Sequence, residues 1–260
     1  MIITDRTINE KRTLFIGAHC DDIVISSAVT ISKKPENSYV ITISDGSLDL
    51  DVYPIIEAGK IFYTSQEWAK ERLKEDLRAM RHLGLDLENY SNFHIKDQRF
   101  YENISQIVGG IDHVIREKNI GQLVTHEFPQ PHPDHEIACI ASHIAAKIND
   151  IPVYEYSMYT MDGNGDFFFR SFDDDVSKEI YSHKITSVES VLKLKALKAY
   201  ETQPFWVEQG MKKMEESFSK VDRDVTVLTD SLPYIEDIKT ISPMEVRNIL
   251  EKYLRGMMQK

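Results

Sequence analysis

The side chains best suited to chemistry are His19, Asp21 and Asp22, which follow directly on the apolar run Phe15-Ile16-Gly17-Ala18. A second group, His132-Pro133-Asp134-His135, stands in mid-chain. A buried strand that ends in small residues and hands over to imidazole and carboxylate groups is how an α/β sheet presents chemistry at the carboxyl ends of its strands. His19 and Asp22 can reach one divalent cation from a single tight loop, with Asp21 as a spare carboxylate beside it. His135 can complete a set of three N/O ligands, the number that leaves a catalytic zinc an open position for water. Plainer explanations compete. Asp21 and Asp22 open a helix-like segment and can serve only as caps, and Pro133-Asp134 is an ordinary helix start. The position of both groups at strand ends favours a mononuclear metal hydrolase.

The elements that must carry these residues follow from periodicity. Thr13–Ala18 reads as a short buried strand and Ile23–Ser32 as a helix. Tyr39–Ser44 is a β-branched strand closed by Asp45-Gly46. Thr64-Ser65-Gln66-Glu67 is a capping box in sequence. The helix it opens presents Ala69, Leu73, Leu77 and Met80 on one face and stops at Gly84. A third strand is expected at Asn92–Ile95. Asn103 caps a helix with Ile104, Ile107, Val108, Ile111, Val114 and Ile115 at helical spacing. Leu123–Thr125 is a fourth strand with His126 at its end, a position where a histidine usually finds an ordinary structural partner. The helix after His135 buries Ile137, Ile140, Ala141, Ile144, Ala145 and Ile148, and Pro152–Tyr154 is a fifth strand. Strands and helices alternating at these intervals give an α/β fold with a mostly parallel sheet and helices on both faces.

From Tyr156 to Lys184 the pattern turns aromatic and acidic, and a small β-rich insertion is expected there. Thr186-Ser187-Val188-Glu189 opens a helix to about Tyr200, and Ser242-Pro243-Met244-Glu245 opens the last one. A single domain over 1–260 is expected, with a core at about 13–204 and a helical C-terminal extension at about 205–260.

Composition narrows the partners. A net charge of −11 in 260 residues argues against nucleic acid and acidic membrane surfaces, which want a basic face. No stretch approaches the roughly 20 apolar residues of a membrane span, and the first residues show no basic-then-apolar leader. Two cysteines, Cys20 and Cys139, suit a reducing cytoplasm. The sequence is silent on oligomeric state, and a homo-oligomer is compatible with it.

Ala18-His19-Cys20-Asp21-Asp22 and His132-Pro133-Asp134-His135 together resemble the LmbE/PIG-L family of metal-dependent N-deacetylases. The usual signatures of that family are Ala-His-Pro-Asp-Asp-Glu and His-Pro-Asp-His. The resemblance runs from about residue 13 to 204. It takes in Arg72 and Glu75 before Leu83-Gly84, Asp97 after the third strand, and Lys195-Ala196 through Tyr200 to Gln203. It implies a Rossmann-like three-layer fold and removal of acetyl from an N-acetylglucosamine-type aminosugar conjugate.

By the same resemblance His19, Asp22 and His135 hold Zn²⁺, or another divalent metal such as Fe²⁺. Asp21 is the general base toward the metal-activated water. His132 stabilises the oxyanion or protonates the leaving amine, and Asp134 orients an imidazole. Arg72 and Asp97 take sugar-contacting positions, against the plainer readings of a solvated helix charge and a turn aspartate. Two residues depart from the signature: Cys20 stands for Pro and Ile23 for Glu. Cys20 is either a soft fourth ligand or a buried thiol, and the missing Glu removes a hydrogen bond that can orient a ligand.

Two rival readings stay open. One is an amidase on a sugar–thiol or sugar–peptide conjugate; the other is a sugar-binding protein that keeps the metal without turnover. Tyr156, Tyr159, Trp206 and Phe167–Phe169 either stack on a sugar or belong to the core.

Overall fold

The computed structural model describes residues 2–3, 8–48, 53–128, 130–161, 167–169, 172 and 179–222. The helix expected after Ser242 lies outside the described residues.

In chain order the strands are β1 (Ile2–Ile3), β2 (Thr13–Gly17), β3 (Ser38–Ser44), β4 (Ile55–Glu57), β5 (Lys60–Phe62), β6 (Tyr90–Ile95), β7 (Gln122–His126), β8 (Val153–Tyr156), β9 (Tyr159–Met161), β10 (Phe167–Phe169), β11 (Ile180–Lys184) and β12 (Glu215–Val221). The helices are α1 (Asp22–Lys33), α2 (Ser65–His82), α3 (Ile104–Glu117), α4 (Pro133–Asn149), α5 (Ser187–Leu197) and α6 (Pro204–Lys212).

Eight strands form one sheet in the order β1-β11-β12-β8-β7-β2-β3-β6. From β8 to β6 every pairing is parallel, whereas β12 runs antiparallel to both its neighbours. Strand β2 is buried along its whole length, and its residues alternate between the two faces. Leu14 and Ile16 pack with β3 and with α3 and α4, through residues such as Ile107, Ile111, Ile140 and Ile144. Phe15 packs on the opposite face with Ile25, Ala28, Met80 and Leu197 of α1, α2 and α5. Three layers result. The chain leaves β2 toward β3 on one side and later returns to β7 on the other. That reversal opens a crevice above β2 and β7, where such sheets bind ligands.

Local signals account for most helix starts. Thr64 and Thr186 both close full capping boxes, with Glu67 and Glu189 reaching back to the cap. Asn103 occupies the N-cap of α3 without a capping hydrogen bond; its amide donates to Arg99 O instead.

Three expectations need correction. The deeply buried face of α2 is not Ala69-Leu73-Leu77-Met80 but Trp68, Arg72, Glu75, Asp76, Ala79 and Met80. Its charges are buried because each is partnered, as set out below. Residues 55–62, where the sequence suggests no element between Asp45-Gly46 and the capping box at Thr64, form the hairpin β4–β5. Residues 215–221, expected in a helical extension, form a strand in the main sheet, and only α6 precedes it there. This strand is stabilised by polar partners. The buried Glu216 carboxylate accepts from Val29 N, Thr30 N and Thr30 Oγ1 of α1 at 2.8, 2.8 and 2.6 Å, and Ser217 bonds Ser157. Within the aromatic segment, β9 and β10 form a separate hairpin, while β11 joins the main sheet.

Candidate metal centre

The first candidate ligand loop begins where β2 meets α1. A side chain at Gly17 would come within 2.9 Å of Ile23 Cγ1, so the strand end and the helix approach as closely as glycine allows. Ser44 N donates to Ala18 O at 2.8 Å and ties the loop to β3. Asp21 sits at the N-cap of α1 but makes no side-chain cap bond, so its carboxylate is not there to cap. Asp22 Oδ2 instead accepts from His19 N at 2.7 Å, which holds the loop closed.

The second candidate ligand loop precedes α4. His132 is its N-cap, with ring Nδ1 accepting from Asp134 N at 3.2 Å. Pro133 at the first helical position leaves no orphan N–H there.

The two loops converge. His19 Nδ1 lies 3.2 Å from His135 Nε2 and 3.6 Å from Asp22 Oδ2, and His135 Nε2 lies 3.5 Å from Asp22 Oδ1. Ligands at about 2.1 Å in a tetrahedral shell stand about 3.4 Å apart. The two Asp22 contacts use different oxygens of the carboxylate, and the sets that bring one ligand atom from each residue within 4.8 Å of the others are His19/His132/His135 and Asp22/His126/His135, which share His135. The His132 ring stands edge-on to that of His19, with centroids 4.7 Å apart.

Acid groups surround the imidazoles. His19 Nε2 is 3.2 Å from Asp97 Oδ1 and 3.5 Å from Asp134 Oδ2. Burial works to lower the pKa of His19, but Asp97, Asp134 and Asp22 reverse this and hold it well above the usual value. Burial tends to raise Asp22, and His135 and His126 pull it well below the ordinary carboxylate range. Desolvation depresses His132 and brings His135 down to about 3, so both rings are neutral and able to bind or donate at neutral pH. Asp21 is 6% exposed and pushed upward by burial; Arg72 and Asp22 act on it in opposite senses. Its Oδ2 has no hydrogen-bond partner; the Arg72 guanidinium is 3.9 Å away.

The family model for PIG-L, GlcNAc-PI de-N-acetylase, matches residues 14–146. The chain belongs to the PIG-L family. It is a metal-dependent N-deacetylase, and its clustered His and Asp side chains suit a divalent metal. A search of curated proteins gives no match. Among solved structures, the zinc-inhibited form of teicoplanin deacetylase Orf2 superposes with a TM-score of 0.63 at 16% identity, covering 82% of this chain and 99% of that one. The A40926 pseudoaglycone deacetylase Dbv21 gives 0.61 at 20% identity, over 84% and 98%. The N,N'-diacetylchitobiose deacetylase from Pyrococcus horikoshii gives 0.58 at 16% identity, over 84% and 86%. At these identities the likeness is one of fold.

In this PIG-L protein the side chains singled out from sequence line a single cavity of about 240 Å³: His19, Asp21, Asp22, Arg72, Asp97, His132 and His135 all face it. Asp134 sits just behind, fixed by Gln98 N at 2.7 Å; the imidazole it approaches is that of His19. Arg72 is 4% exposed, which rules out a solvated helix charge. Its guanidinium is 3.4 Å from both Glu75 Oε2 and Thr202 Oγ1 and lies over the Tyr200 ring. Its stem packs on Gly46, where φ is +74° and a Cβ would meet Arg72 Cγ at 3.1 Å. Cys20 points away toward Ser44 O, at 3.9 Å, and Ile23 belongs to the apolar layer.

Some residues of the centre escaped the sequence reading. His126, read as an ordinary strand-end histidine, accepts from Ala18 N at 3.0 Å. It stands 3.3 Å from Asp22 Oδ2 and stacks on His135 with centroids 4.0 Å apart. Its place at the end of β7, beside β2, was the available clue. His126 lies behind the cavity wall, whereas Trp68 and Gln203 line it, and Tyr159 stacks on Trp206 at 4.8 Å. Phe168 is 49% exposed, and Tyr156 is core.

Proposed function

We propose that this protein removes the N-acetyl group from an N-acetylglucosamine-type aminosugar conjugate, with Zn²⁺ held by His19, Asp22 and His135. The observation that carries the reading is the convergence of the His19 and His135 rings and the two oxygens of Asp22 within 3.6 Å of one another, with Asp21 Oδ2, which accepts no hydrogen bond, beside them. Bound zinc polarises the amide carbonyl and lowers the pKa of water toward about 7.

The chain's own residues supply the rest. Asp21 takes the proton from the attacking water, and burial stabilises its neutral form, so it can carry that proton to the departing nitrogen as the C–N bond breaks. His132 accepts at Nδ1 from Asp134 N, so in the neutral ring the hydrogen is on Nε2, available to the oxygen that becomes negative. Asp134 and Asp97 fix the His19 ring through Nε2 and leave Nδ1 for the cation. Arg72 offers its remaining donors to sugar hydroxyls. Trp68, Tyr159 and Trp206 supply aromatic faces for the apolar side of a pyranose. The deacetylase activities named for Orf2, Dbv21 and the diacetylchitobiose enzyme support a sugar-conjugate substrate. Both cysteines are thiols, which supports a reducing, cytoplasmic setting.

The test is acetate release by the zinc-loaded protein from a panel of N-acetylglucosaminides. We expect release that a chelator abolishes and zinc restores. Absence of acetate from every substrate at confirmed metal content would refute the proposal.

A further inference from the structure

Away from the cavity, α4 and β8 bring another set of ligating groups together. Cys139 and His143 lie one turn apart on α4 and meet Glu155 of β8, with one ligand atom from each within 4.8 Å of the others. Cys139 Sγ is 3.6 Å from Glu155 Oε1, and His143 Nε2 is 2.9 Å from the same oxygen. The three residues are 0%, 5% and 1% exposed. We propose that Cys139, His143 and Glu155 form a second, sulfur-containing divalent-metal site suited to Zn²⁺, separate from the cavity of His19, Asp22 and His135.

Three observations support it. With bonds of about 2.3 Å to sulfur and about 2.1 Å to oxygen, the Sγ–Oε1 separation subtends about 110° at a shared ion, close to tetrahedral. The Nε2–Oε1 pair subtends about 90° and needs to open by about half an ångström. Charge points the same way: a dication with one thiolate, one carboxylate and one neutral imidazole is neutral overall, the arrangement that makes a buried carboxylate on a central strand least costly. Binding displaces the Cys139 thiol proton to solvent. Finally, there is an entry path. His143 also lines a cavity of about 620 Å³ whose wall carries Asp150, Glu179 and Asp222 with Lys147 and Lys220. That cavity lets water and ions reach the His143 side of the cluster, and its wall carries one more carboxylate than ammonium groups. An ion held there clamps the middle of α4, whose N-cap is His132 and whose first turn carries Asp134 and His135, to the sheet.

Cobalt distinguishes this site from the first, because the His19/Asp22/His135 set contains no sulfur. The metal-stripped full chain is titrated with Co²⁺ and followed by thiolate-to-cobalt charge-transfer absorption and by metal content. We expect two equivalents per chain and a sulfur band. Cys139→Ser should lose the band and one equivalent, as should His143→Gln, whose amide can still bond Glu155. Cys20→Ser should keep both. Binding of a single equivalent without a sulfur band overturns the proposal, as does a band that persists in Cys139→Ser with an unchanged circular-dichroism spectrum. Neither readout depends on turnover, so the outcome stands apart from the deacetylase assay.

Discussion

Glu75→Gln isolates how the cavity-lining Arg72 is held. The Glu75 carboxylate is fully buried and accepts from Thr202 N at 2.8 Å, Thr202 Oγ1 at 2.7 Å and Arg72 Nη1 at 3.4 Å. The amide keeps the shape and can keep one oxygen on Thr202 N. It replaces the other oxygen with a donor that faces both the hydroxyl and the guanidinium. Thr202 can rotate to accept, but Arg72 loses its closest carboxylate. A hydrogen bond to a charged group contributes about 1.5–3 kcal/mol. Burial pushes the Glu75 carboxyl upward by more than Thr202 and Arg72 pull it back. The desolvation cost thus offsets part of the pair's attraction, and the loss should stay within about 1.5–3 kcal/mol, below the full cost of stranding a buried charge.

Urea unfolding gives this loss directly. Kinetics give the rest: with Arg72 released, KM should rise while kcat falls less, and metal content should stay the same, because Glu75 is not among the clustered ligand groups. A destabilised Glu75→Gln protein with unaltered KM and kcat would refute the claim that this carboxylate positions Arg72 for substrate.

Three other outcomes follow from the geometry. Asp21→Asn should bind zinc normally yet lose about 10²- to 10⁴-fold in turnover, the usual range for a general base, measured by acetate release at confirmed metal content. Asp22→Asn removes the charge that meets His19, His126 and His135. It should weaken zinc by more than about 100-fold in competition titrations, beyond what losing an outer-shell partner costs. Asp76 is raised to about 6 by burial, despite accepting from Thr42, Tyr90 and Tyr200. A carboxyl raised on folding contributes stability below its unfolded pKa near 4 and loses it as pH rises through about 6. The stability advantage of wild type over Asp76→Asn should therefore shrink by about 2.4 kcal/mol between pH 4 and pH 7 in urea titrations.

What the sequence made legible was local. Strand β2 and helix α1 were readable because burial writes a continuous apolar run, and Thr64 and Thr186 because a capping box is complete within four residues. The ligand candidates were readable because strand-end loops place them at the crevice. The buried face of α2 was missed because it is made of charges: Arg72, Glu75 and Asp76 are satisfied by Thr202, Tyr200, Tyr90 and Thr42, partners that no periodicity can reveal. Strand β12 was missed for the same reason, since Glu216 and the serines around it resemble surface residues until α1 and Ser157 are seen to receive them. His126 needed the neighbour relation of β7 and β2, a property of the folded sheet.

The placement of β12 has a consequence for the nascent chain. Strand β8 carries Tyr156 and leads into Met158 and Tyr159 of the cavity wall, yet the strand that covers its outer edge is encoded some sixty positions downstream. While residues 157–214 are being synthesised, β8 presents an open row of backbone groups, the template on which stray strands pair. Translation pausing or truncation in that interval is where this protein is most exposed to aggregation, and a chaperone that shields one sheet edge would matter most there.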